Sequence, residues 1–123
     1  MKIKNYLIPS ILLVVVGFFL SQILAVENPL NFEEIECRDC GIYFLIVSDF
    51  PLESLYANNV IATTQDGGVT WKVCVPKTGE VMQVIFKATT LDGFVYTIIT
   101  NCTCEEVEVL SVSVKAPGIG NIG

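Results

Sequence analysis

Five cysteines carry most of the chemistry in this sequence: Cys37-x-x-Cys40, a lone Cys74, and Cys102-x-Cys104. Two close pairs of thiols are the raw material of a tetrahedral four-thiolate metal site, or of a redox-active Cys-x-x-Cys. In an oxidising compartment the same residues become structural disulfides. Strand spacing favours the disulfides, because residues i and i+2 of a strand lie roughly 7 Å apart on one face, too wide for neighbouring ligands of one metal. It also disfavours a direct bridge between Cys102 and Cys104. The disulfide candidates are therefore Cys37, Cys40, Cys102 and Cys104, with one member of the first pair joined to one member of the second. Cys74, on the polar face of its segment beside Lys72, is the expected free or intermolecular thiol. No metal and no cofactor is assigned.

Composition removes other chemistries. The chain has no histidine, which excludes Ser–His and Cys–His catalysis and any imidazole-bound zinc. A formal net charge of −6 argues against a nucleic-acid partner, which needs a basic face. Glu33, Glu34 and Glu36 precede the first cysteine pair, and Glu105, Glu106 and Glu108 follow the second. If the pairs join, these carboxylates gather on one edge. The expectation is a solvated acidic edge that discourages sheet-to-sheet pairing, over a calcium site or a glycosidase acid pair. No catalytic residue is assigned, and the chain is read as a non-enzyme.

Placing these groups begins with the compartment. Lys2 and Lys4 precede an almost wholly apolar run from Leu7 to Leu20, and Ile23-Leu24-Ala25 offers a small residue for cleavage. This is the layout of a signal peptide over residues 1–25, the alternative being an uncleaved anchor. The lysines stay inside and the remainder goes out. Residues 26–36 then read as an acidic N-terminal arm, in which Leu30, Phe32 and Ile35 offer an edge strand. Residues 37–115 read as a disulfide-stapled β domain, and residues 116–123 as a flexible Gly/Pro tail.

Within the β domain, Ile42 to Val47 is continuously apolar, the pattern of a strand buried on both faces. Residues 60–64, 69–75, 82–88, 94–100 and 107–114 supply further strands, most of them alternating with period two. The apolar phase of the last switches near Leu110, which predicts a bulge. Asp66-Gly67-Gly68 and Asp92-Gly93 are hairpin turns. Residues 51–58 offer one helical turn. The fold class is all-β: a small antiparallel β-sandwich or open sheet of about six strands.

Thr64-Gln65-Asp66-Gly67-Gly68-Val69-Thr70-Trp71 fits the pattern [S/T]-x-D-x-G-x-T-W. It resembles the Asp-box hairpin of the BNR-repeat families, which include sialidases and photosystem-assembly factors, with a looser likeness from Val60 to Val95. In that likeness Asp66 accepts hydrogen bonds from turn amides, Gly68 takes the left-handed position, and the hydroxyls of Thr64 and Thr70 satisfy the loop. Trp71 covers the hairpin base. All of these are structural roles. A propeller needs about four or more blades of roughly 40–50 residues, so the hairpin is expected inside another β fold. The single arginine beyond the leader, Arg38, leaves no arginine cluster for a sialidase substrate.

Together these readings give an exported, secreted, cell-surface or periplasmic β module with a binding or structural role. One alternative is a subunit of a surface filament or assembly, linked through an unpaired cysteine or a terminal arm. Another is a thiol-redox or metal-thiolate protein built on Cys37-x-x-Cys40. The expected partner is a protein or surface component, with self-assembly included and nucleic acid excluded. Membrane contact would come only through an uncleaved N-terminal segment.

Overall fold

The computed structural model describes residues 26–117; the expected leader, and the tail beyond Pro117, lie outside the described residues. The described chain is all-β, with nine strands: β1 (Leu30–Arg38), β2 (Gly41–Ser48), β3 (Leu52–Ala57), β4 (Val60–Ile61), β5 (Thr63–Thr64), β6 (Thr70–Val75), β7 (Met82–Thr90), β8 (Val95–Cys102) and β9 (Val107–Lys115). They form two antiparallel sheets, ordered β1-β2-β6-β5 and β4-β3-β7-β8-β9. Read as strands A to G, these orders are ABED and C′CFG, the arrangement of immunoglobulin-type sandwiches, with β9 added beyond the last strand.

The core lies between the sheets because alternate residues of each strand are apolar. Ile42, Phe44 and Ile46 of β2 and Trp71, Val73 and Val75 of β6 face Val84, Phe86 and Ala88 of β7 and Ile98 of β8, all buried. At the centre Phe44 meets Phe86 edge-to-face with ring centroids 5.2 Å apart, and Phe32 of β1 packs on both. Such aromatic contacts contribute about 0.5–1.5 kcal/mol each beyond area burial.

Several expectations change here. The acidic arm is the first strand: Leu30–Arg38 pairs with β2 along its whole length, so Glu33, Glu34 and Glu36 line a sheet edge. Residues 52–57 are a strand, not a helical turn, because Glu53 is the extra residue of a bulge between Leu52 and Ser54. That bulge lets Leu52 and Leu55, three apart, both face the core. β2 is buried on one face only; Tyr43, Leu45 and Val47 are half-buried on the outer side. The guanidinium of Arg38 lies 3.7 Å from the Tyr43 ring centroid on that side. In β9 the register shifts where the sequence predicts it: Ile99 pairs Ser111 and Thr100 pairs Val109, leaving Leu110 as the extra residue.

Candidate functional site

The antiparallel registers sort every connection to one of two ends. Ser48 pairs with Leu30, Val47 with Thr70, Leu52 with Thr90, and Val95 with Lys115. The β2–β3, β5–β6 and β7–β8 connections therefore cluster at one end. The β1–β2 and β8–β9 turns lie at the other, and the disulfides are there.

At the stapled end, Cys37 bridges Cys104 and Cys40 bridges Cys74, with Cα–Cα separations of 5.1 and 6.1 Å. The first ties the β1 edge of one sheet to the β8–β9 turn of the other, a link of the kind the sequence suggests. The second corrects the assignment of Cys74 as a free thiol. Cys74 does lie on the outer face of β6, and the β1–β2 turn comes over it at Gly41. There a Cβ would sit 2.0 Å from the Val75 carbonyl oxygen, so only glycine permits the approach. Cys102 is the free cysteine instead, fully buried on the inner face of β8. Burial pushes its thiol pKa up, partly offset by the Thr100 hydroxyl 3.2 Å away. The two halves of Cys37-x-x-Cys40 belong to different bridges, so the motif forms neither a dithiol couple nor half of a thiolate cage. Among the described residues no three His, Cys, Asp or Glu side chains gather as a metal-binding group.

At the opposite end, local hydrogen bonds hold the loops. Thr64 Oγ1 donates to Asp66 Oδ1 (3.1 Å) and accepts the Gly68 amide (3.1 Å). Asp66 Oδ1 also accepts the amides of Thr70 (2.8 Å) and Val69 (3.3 Å). Hydrogen bonds from Thr70, side chain and then backbone, are the main reason the Asp66 carboxyl is held at about 2, below the usual carboxylate range. Gly68 has φ +98° and its carbonyl accepts both the Trp71 Nε1–H and the Leu52 amide, each at 2.8 Å. Thus Thr64, Asp66, Gly68, Thr70 and Trp71 form one unit that fixes the β5–β6 turn and anchors it to β3. Trp71 lies buried beneath it.

The β7–β8 turn repeats this chemistry, which the sequence reading missed. Thr64-Gln-Asp66-Gly67 and Thr90-Leu-Asp92-Gly93 share the order Thr-x-Asp-Gly. Thr90 Oγ1 donates to Asp92 Oδ1 (2.6 Å) and accepts the Phe94 amide (2.9 Å), the same i to i+2 and i+4 pattern. The repeated Thr-x-Asp-Gly was the available signal.

Between this turn and the β2–β3 connection lies an open hollow of about 560 Å³, lined by Phe50, Pro51, Thr90, Leu91, Asp92, Phe94 and Tyr96. Phe50 and Tyr96 pack with centroids 5.8 Å apart and form its floor. Leu91, 68% exposed, and Phe94, 37% exposed, stand at its rim. Neither the three loops nor the hollow carries a lysine or arginine, whereas Asp49, Asp66 and Asp92 place one carboxylate in each loop. The arrangement suits an apolar or aromatic group with a cationic flank. No family model, no curated protein and no solved structure matches this chain.

Proposed function

We propose that the protein is an exported, non-enzymatic binding module of the cell surface or periplasm, and that it binds a partner protein through the aromatic hollow at its three-loop end. The observation carrying this reading is the hollow itself: exposed Leu91 and Phe94 over a Phe50–Tyr96 floor, on turns held rigid by hydrogen bonds. Apolar side chains kept in water on a fixed scaffold mark recognition surfaces. The two disulfides support export, since such bonds persist in oxidising compartments. Within the proposal, the Thr64–Trp71 hairpin keeps the structural role that the Asp-box resemblance implies.

Cross-linking of the protein in intact cells tests the partner. The expected outcome is a cross-linked species that is lost in a Leu91→Ser, Phe94→Ser double variant with unchanged unfolding behaviour. Equal cross-linking by that variant rejects the hollow as the binding site. Mass measurement of the exported material, native and reduced, tests the compartment: two hydrogen masses fewer per bridge, and two bridges, are expected.

A further inference from the structure

The two sheets have four edges, and three are protected. β4 and β5 are two residues long, and β1 carries Glu33, Glu34 and Glu36. Short or charged edge strands discourage another strand from adding on. β9 differs. It is nine residues long, pairs among the described residues only with β8, and has no charge from Val109 to Val114. Val109, Leu110 and Val114 are 40, 47 and 41% exposed. Pro117 packs beside Gly93, so the chain leaves β9 towards the β7–β8 turn.

The side chains of β9 say which strand fits. Glu108 and Lys115 stand opposite Asn101 and Val95, on the outer face of the sheet. Val109, Val112 and Val114 stand opposite Thr100, Ile98 and Tyr96, on the inner face. Because Leu110 is the extra residue of a bulge, Glu108 and Lys115 share a face although they are an odd number apart. We infer that β9 pairs with β9 of a second copy, antiparallel about Val112, giving a two-fold dimer with one sheet running through both molecules. In that register Ser111 meets the partner's Ser113, Val109 meets the partner's Val114, and Glu108 meets the partner's Lys115. Every pairing but that of Val112 with its copy on the axis occurs twice, as an isologous interface requires. Sliding the register by two residues loses both Glu108–Lys115 pairs while valine still meets valine, so the charges select the register. This matters for a chain of net charge −6, whose copies otherwise repel. β9 supplies no lining residue to the hollow, although Val114 stands opposite its Tyr96, so the dimer is judged by Glu108 and Lys115, which lie outside the hollow.

Sedimentation velocity on the oxidised protein, from roughly 1 μM to 1 mM, tests the pairing. The expected result is a monomer that shifts to twice its mass as concentration rises. Glu108→Lys and Lys115→Glu should each weaken the dimer about tenfold or more, and the double swap should restore it. The two residues lie too far apart along β9 to pair within one molecule, so rescue reports contact between copies. Val114→Lys, at an exposed position, should abolish the dimer without altering unfolding. A monomer at every concentration overturns the inference. So does a dimer indifferent to the charge swap, or one that reductant dissociates while the monomer stays folded.

Discussion

Removing the Cys37–Cys104 bridge by a Cys37→Ala, Cys104→Ala pair is expected to cost most of a small domain's stability, and the size of the loss follows from topology. The bridged residues are 67 apart in sequence, and the Cys40–Cys74 bridge, with separation 34, is nested inside. In the chain-entropy treatment an isolated loop of the outer length contributes about 4.4 kcal/mol. The inner bridge short-circuits about half of that loop, so the outer one adds only about 3.8 kcal/mol while its companion is intact. The inner bridge contributes about the same. Removing either should therefore lower the melting temperature by about 15–30 °C, and removing both, a loss of about 8 kcal/mol, should leave little or no native population. Guanidinium titration followed by Trp71, the single and buried tryptophan, measures each step. A loss below about 1 kcal/mol for the outer pair would falsify the view that covalent closure sustains this sandwich.

At the loop end, Gly68→Ala should destabilise by about 3 kcal/mol or more, since its φ is +98° and a Cβ would lie 2.3 Å from the Leu52 carbonyl oxygen. Gly67→Ala, with φ +80° but open space around it, should cost only about 1 kcal/mol, and urea midpoints distinguish the two. The Asp66 carboxyl is depressed from 3.8 to about 2 in the folded state, so its contribution is complete above pH 4 and fades as pH falls towards 2. Acid titration of unfolding should show that slope in the wild type and a shallower one in Asp66→Asn. Cys102 should resist iodoacetamide in the native protein at pH 8 and label as one thiol in denaturant, because it is buried with a raised pKa. Rapid native labelling would contradict its placement in the core.

The strands with unbroken period-two alternation are legible directly: β6 and β7 follow from Trp71, Val73 and Val75 and from Met82, Val84, Phe86 and Ala88. What misleads is the bulge. Phe32 and Ile35 in β1, Leu52 and Leu55 in β3, and Val109 and Val112 in β9 are each three apart, and a register shift turns each pair towards the core side. A spacing of three mimics a helix or a loop, so β1 reads as an arm and β3 as a helical turn. The β3–β4 hairpin, which the sequence reading missed, turns on Asn58-Asn59, whose φ values of +49° and +70° are those that asparagine tolerates in a two-residue turn. Cysteine pairing is less accessible. It depends on the β1–β2 turn crossing the outer face of β6, which no local pattern encodes, and Cys102 shares the strand phase of Cys104 while lying inside the core. The hollow joins residues from two connections about 40 positions apart in sequence, so the sheet order is what reveals it.

The two ends of the sandwich are held by different chemistry, and this separates their responses. Covalent bridges fix the end with the β1–β2 and β8–β9 turns and are indifferent to acid. Carboxylate and hydroxyl hydrogen bonds fix the three-loop end and are indifferent to reductant. In the β5–β6 turn Asp66 adds resistance to acid, since a carboxyl near 2 keeps its acceptor charge through mildly acidic surroundings. The β5–β6 turn should therefore persist at pH 5 and above. Reduction acts from the other side. With both bridges open little native population should remain, so the turns and the sheet-to-sheet closure that positions Phe50 against Tyr96 should be lost together. If the proposed function holds, binding through the hollow should then decline together with global unfolding, following the Trp71 signal.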